Sequence, residues 1–226
     1  MTSTLTLRAL GKLRTAPGGQ LDCQVIFADG PGTSRPVAHV ERELPPGGIP
    51  VYLAARKSGA RSFVLWADEH RQARAATLVT VSASGGRAQF QVLGGQGEHL
   101  GVITRDKAFS RGLRTRWTVT PAGGTDAVGY KGRLFWWCVW WPFTLFLPIM
   151  LVALVFGGGG GGGDFPRGPR RIKWRSGGKV PLEFKSSGNT VRLYAPELDW
   201  RLGAALTALI PTFDGWIGTP WDARKD

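Results

Sequence analysis

Cysteine and histidine are scarce in this chain of 226 residues, with two of the first and three of the second. Cys23 and Cys138 stand far apart and no CxxC occurs, which excludes a zinc ribbon and a dithiol redox motif. His39, His70 and His99 form no HxH or HxxxH pair, so each reads as a surface or turn residue rather than a metal ligand. No GxSxG nucleophile elbow is present. Seven consecutive glycines at 157–163 are not followed by the Gly-Lys-Ser/Thr of a phosphate loop. GGQGEHLG (94–101) fails as a dinucleotide fingerprint, because Leu100 stands where the third glycine belongs. Asp68, Glu69 and His70 read as a solvated turn after a strand. No enzyme and no cofactor are expected. The amino end, MTSTLTLRALGKLR, lacks the apolar stretch of a signal peptide, so residues 1–133 are expected in the cytoplasm unless a later segment exports them.

Acidic residues are also outnumbered, 16 against 29 Lys and Arg, for a net charge of +13. Both halves share the excess, with 18 Lys/Arg against 9 Asp/Glu before residue 134 and 11 against 7 from there on. Such a balance suits an anionic partner, either a lipid headgroup surface or nucleic acid. A hydrophobic content of 42% is enough for a folded core.

Short segments rich in β-branched and aromatic residues recur along the chain. They are 5–10, 20–27, 51–54, 62–67, 76–81, 88–93, 100–104 and 116–120, then 171–175 (RIKWR), 180–185 and 190–194. Turn signals such as SGG, GGQG and PAGG separate several of them. Strands at this spacing predict an antiparallel sheet or barrel, not strand–helix–strand units. The pattern then changes. Pro196 suits the first turn of a helix, Glu197 and Asp199 favour its positive end, and LGAALTALI (202–210) runs up to Pro211. A helix over about 196–210 is apolar on nearly every face, so it must be enclosed. The strands are the natural enclosure.

Two stretches carry a resemblance: AQFQVLGGQGEHLGVITRDKAFSRGLRTRWTVTPAGG (88–124) and VRLYAPELDWRLGAALTAL (191–209). They resemble the tubby-like barrel superfamily, which includes the phospholipid scramblases and the LURP-one-related proteins. The resemblance implies a closed β-barrel around one hydrophobic C-terminal helix. It also implies lipid binding, in tubby proteins partly through a Lys-x-Arg pair, a spacing found here at Lys12/Arg14 and Lys173/Arg175. Two departures stand out. The segment FKSSGNTVRLYA (184–195) lacks the acids that calcium-responsive scramblases carry before the helix, and the superfamily does not normally hold an apolar insert.

That insert is residues 134–156, which contain no ionisable acid, base or histidine. As one helix it would measure about 34 Å, enough for the roughly 30 Å hydrocarbon core. Trp136, Trp137, Trp140 and Trp141 crowd its leading end, where amphipathic rings favour the membrane interface. Lys131 and Arg133 precede it. Arg167, Arg170, Arg171, Lys173, Arg175 and Lys179 follow, with no acid between residues 165 and 182. A single pass would export the first domain. Pro142 and Pro148 permit a hairpin that returns to the same side, with the glycines as a tether. Burial of the run within a soluble protein is the third arrangement. The stretch RDKAFSRGLRTRW (105–117) interleaves Phe109 and Trp117 with basic residues, as single-stranded nucleic acid binders do, or as a membrane-facing loop does.

The expected protein is mainly β with one buried helix. Residues 1–133 give the first part of the barrel, 134–156 a membrane segment, and 157–170 a Gly-rich and basic linker. Residues 171–211 supply the remaining strands and the helix, and 212–226 a tail. The expected function is non-catalytic: a barrel on the cytoplasmic face of a membrane, binding anionic phospholipids through the eight basic residues named, or serving as a scaffold, with no nucleic acid partner. The alternatives are a scramblase-like lipid-moving protein and a single-pass protein with a polyanion-binding domain.

Overall fold

The computed structural model describes residues 2–10, 15–16, 19–20, 23–30, 32–110, 112–131, 171–213 and 220–223. Its strands are β1 (Ser3–Ala9), β2 (Thr15–Ala16), β3 (Gly19–Gln20), β4 (Cys23–Ala28), β5 (Ser34–Arg42), β6 (Phe63–Trp66), β7 (Arg74–Ser84), β8 (Arg87–Gly94), β9 (His99–Asp106), β10 (Arg116–Pro121), β11 (Ala127–Tyr130), β12 (Arg171–Arg175), β13 (Leu182–Lys185) and β14 (Thr190–Leu193). All but β2 and β3, which form a small hairpin, close one antiparallel barrel. Each strand pairs with its sequence neighbour, and β1 seals the ring by pairing with both β4 and β14. The early and late parts of the chain therefore share one sheet, which leaves no open edge.

Side-chain alternation decides which face looks inward. In β12, Ile172 and Trp174 are buried while Arg171, Lys173 and Arg175 are exposed. In β8, Ala88, Phe90 and Val92 point in and Arg87 points out. Trp117, Trp174, Phe63, Phe90 and Phe184 are the largest wholly buried side chains.

They surround helix α2 (Trp200–Leu209; the earlier helix α1 is Gly48–Ser58). Every residue of α2 from Leu202 to Leu209 is buried. The helix packs against the neighbouring strands β14, β1 and β4, and also against β7, β8 and β9, which lie diametrically across the ring. It therefore runs through the barrel interior. The closed ring of strands answers the need of a helix apolar on nearly every face. Asp199 caps it by accepting the Arg201 N–H at 2.8 Å. The one buried hydroxyl, on Thr207, donates back to the Gly203 carbonyl at 2.7 Å. The helix begins at Trp200 and not near 196, because Pro196 belongs to the turn ahead of the cap.

Strand direction gives the barrel two distinct ends. Strands β1, β5, β7, β9, β11 and β13 finish at one end, and β14 starts there. Residues 131–170 join β11 to β12, which are hydrogen-bonded neighbours paired at Val128 with Arg175 and Gly129 with Trp174. The chain thus leaves and rejoins the barrel at this end, called here the insert end. Among the described residues no helix is long and apolar enough to cross a membrane, and the run 134–156 lies outside them.

Several expectations are corrected. Residues 51–54 are not a strand but lie in α1. Ala54, Ala55, Arg56 and Lys57 favour helix, Pro50 sits in the first turn where its missing N–H is harmless, and Gly59 at φ 102° ends the helix. His39 is not a surface residue but is buried in β5, at 7% exposure. The stretch expected as a tail, 212–226, is in part described. Thr212, Phe213, Trp221 and Asp222 are all buried and stop the insert end of the barrel.

Candidate functional site

The connections at the two ends differ in charge. At the insert end they are 10–22, 43–62, 85–86, 107–115, 131–170 and 186–189, and their described residues hold six Lys/Arg (Arg56, Lys57, Arg61, Lys107, Arg114 and Lys131) against one acid, Glu43. At the opposite end they are 29–33, 67–73, 95–98, 122–126, 176–181 and 194–199, with two Lys/Arg against seven Asp/Glu. The fold sorts a uniformly basic chain into a cationic end and an acidic end. Exposed large apolar side chains follow the same division. Among the described residues, Leu44, Val51, Phe109, Leu113 and Tyr130 all stand at the insert end, and Val81 lies close to it on β7. Tyr194 is the exception, at the opposite end.

Of the basic residues expected to touch headgroups, the described ones are spread along the barrel. Arg171, Lys173 and Arg175 stand in a row on the outer face of β12, running away from the insert end, and Lys179 sits in the turn at the far end. A strand rises about 3.3 Å per residue, so the row alone covers roughly 13 Å along the wall. Arg171 is paired with Glu183 on β13, which also accepts a hydrogen bond from the Tyr194 hydroxyl at 3.1 Å. Burial pushes the Glu183 carboxyl up, but these two donors outweigh it and hold the group below the usual glutamate range. Lys131 is 5% exposed, and its backbone N–H donates to the Thr115 carbonyl at 2.9 Å. Arg133, Arg167, Arg170, Trp136, Trp137, Trp140 and Trp141 lie outside the described residues, as do Lys12 and Arg14. Trp117, one of the two aromatics noted in the basic stretch 105–117, faces the core. Phe109, the other, faces out.

Beneath the cationic surface the insert end is closed by an ion cluster. Asp222 is wholly buried and receives Arg56 Nε at 2.8 Å and Arg61 Nε at 2.9 Å. Arg56 and Arg61 also donate to the Thr212 carbonyl, at 2.8 and 3.2 Å. The guanidinium groups of Arg61 and Arg105 each lie 4.3 Å from the Phe213 ring centroid. Burial lowers the Arg61 pKa to about 10, with Asp222 opposing the shift, so Arg61 stays charged at neutral pH. Burial and the Asp222 charge raise the pKa of Tyr52, whose hydroxyl donates to that carboxylate at 3.4 Å. Arg56, Arg61, Tyr52, Thr212 and Asp222 are turned on one another, as in a structural plug.

At the opposite end, Arg201 bridges Asp199 and Glu98 beside a groove of about 800 Å³ that also holds Asp29 and Glu197. Asp68 accepts backbone N–H groups of His70, Gln72 and Ala73, so the solvated turn expected there is present. Among the described residues no group of three or more His, Cys, Asp or Glu is placed to hold a metal ion. No protein-family model, no curated protein and no solved structure matches the chain.

Proposed function

We propose that this protein is a membrane-anchored, non-catalytic barrel of the tubby-like kind. It is held on an anionic lipid surface by residues 134–156, with its insert end toward the headgroups. The observation that carries this reading is a coincidence of place. The connection that contains the apolar run belongs to the same barrel end as the cationic connections and the exposed apolar side chains. Anionic headgroups attract clustered Lys and Arg beside a membrane segment, by about 1 kcal/mol each. The acidic opposite end suits the aqueous side. A closed twelve-strand barrel around a C-terminal helix is compatible with the tubby-like architecture that the sequence resembles.

The pairing of β11 with β12 supports an excursion that returns to its own side. One crossing would put two hydrogen-bonded strands in different compartments. Reporter fusions test this. A reporter inserted at residue 96 and another at the C-terminus are expected in one compartment, and opposite compartments would end the proposal. Flotation with vesicles tests the lipid reading. Full-length protein reconstituted from detergent is expected to float with phosphatidylcholine vesicles and to bind more tightly when phosphatidylglycerol is added. High salt should remove only the increment due to acidic lipid. Equal binding to neutral and acidic vesicles would refute headgroup recognition.

A further inference from the structure

The connection between β9 and β10, residues 107–115, carries the two most exposed apolar side chains of the insert end, Phe109 at 62% and Leu113 at 59%. It is not a slack loop. The Lys107 N–H donates to the Gly86 carbonyl at 2.8 Å, and the Ser110 hydroxyl to the Gly85 carbonyl at 2.9 Å. Within the loop, the Phe109 N–H donates to the Gly112 carbonyl at 2.7 Å and the Ser110 N–H to the Lys107 carbonyl at 3.1 Å. The turn between β7 and β8 therefore props it from one side. The strand leading to the insert props it from the other. The Arg114 guanidinium lies 4.7 Å from the Tyr130 ring centroid, and the Lys131 N–H meets Thr115.

Phe109 has φ 67°, a left-handed conformation that residues with side chains rarely adopt. The fold thus holds a large aromatic side chain in a disfavoured backbone state and points it at water. The hydrogen-bonded turn accounts for the backbone state, and the 62% exposure of the ring is what an apolar phase outside the protein would cover. The charges agree. Lys107 and Arg114 flank the two apolar tips along the loop, and no acid occurs between Asp106 and Asp126. An apolar tip flanked by cations suits the boundary between headgroups and acyl chains. The neighbouring connection, 131–170, contains the apolar run itself.

We propose that residues 107–110 and 112–115 form a second, preformed membrane contact. Phe109 and Leu113 enter the acyl boundary of the same anionic leaflet that holds residues 134–156, while Lys107 and Arg114 bind its phosphate groups. This rests on the anchoring reading above and adds an orientation. The barrel stands on its insert end with the acidic end away from the lipid.

The test uses the full chain with Cys138→Ser, leaving Cys23, which is buried at 1% exposure. Phe109→Cys, Leu113→Cys and, at the acidic end, Gln96→Cys are each labelled with a nitrobenzoxadiazole fluorophore. Each is mixed with phosphatidylcholine/phosphatidylglycerol vesicles, with and without a lipid carrying a shallow acyl-chain spin label. The expected result is a blue shift and spin-label quenching at 109 and 113, and neither at 96. Protein that floats while 109 and 113 stay as wet as 96 would overturn the finger and leave the anchor standing. Protein that does not float would overturn both. A blue shift at 113 that grows with protein concentration in the absence of vesicles would mean a second copy covers the patch, and would also overturn the proposal.

Discussion

Asp222 lies in the stretch expected as a tail, 212–226, yet it anchors two arginines from the α1 region. The arrangement is costly to break because its members are already out of water. Removing one partner of a buried pair leaves the other charge uncompensated, which costs about 3–5 kcal/mol. Asp222→Asn keeps the shape and removes the charge. The expected outcome is a loss of about 3 kcal/mol or more in a urea titration with the slope unchanged. A loss below about 1 kcal/mol would mean that water reaches the cluster and screens it. Glu183 supplies a second residue-level prediction, with the opposite pH logic to a base. Its folded pKa is lowered, so the stability it contributes is fully present above the ordinary glutamate value of 4.5 and is lost as pH falls through the lower folded value. The difference in unfolding free energy between the native protein and Glu183→Gln should be flat above that value and shrink below it. A gap that widens in acid would show that burial, not the Arg171 and Tyr194 contacts, dominates the site.

Among the elements, α2 depends on one close approach. A Cβ at Gly203 would stand 2.8 Å from Leu5 Cδ1 and 3.1 Å from Leu193 Cδ2, on the two strands that seal the barrel. Gly203→Val gains a few tenths of a kcal/mol of helix propensity but overpacks the seam, at a cost of about 1–3 kcal/mol. A net loss in a thermal or urea melt is expected, whereas a gain would mean the ring can widen there. This helix was legible in sequence because apolar residues on every side leave a helix nowhere to go but inside a sheet. Most strands were legible from β-branched and aromatic alternation. The elements that escaped have local chemistry that points elsewhere. β5 contains Pro36, which reads as a break, but its register shifts against β4 beside that residue, as a bulge does. β11 is four residues long and contains Gly129, which gives way to Ile172 and Trp174 on β12. In α1, Val51 and Tyr52 look strand-like until the run of helix formers after them is weighed. The basic run 167–179 read as one patch, but a strand carries its residues along the wall, so closeness in sequence did not become closeness to one plane.

At the scale of the whole molecule, the separation of charge between the two barrel ends was invisible in the chain, because it is spread over many short connections that only the strand order sorts. Under the proposed anchoring, orientation at a surface would not depend on the apolar run alone. Opposite charges at the two ends give a torque toward an anionic plane within about a Debye length, roughly 8–10 Å at physiological salt. The contributions of run and field separate in one experiment. β11 and β12 are already hydrogen-bonded neighbours, and their register extrapolates to position 132 opposite Arg171, so a tight Asn-Gly hairpin turn in place of residues 133–170 preserves that register. The shortened protein should keep a cooperative thermal transition and a β-type circular dichroism spectrum. Its binding to phosphatidylcholine vesicles should vanish. Its binding to phosphatidylglycerol vesicles should persist weakly and fall steeply with salt, since only the cationic connections and the exposed apolar side chains remain. Loss of folding would show that the replaced segment is part of the core. Salt-resistant binding to neutral vesicles would place the anchor elsewhere in the chain. If instead the shortened protein ignored acidic vesicles at low salt, the cationic end would be a matter of solubility, and the headgroup reading would fail while the barrel stood.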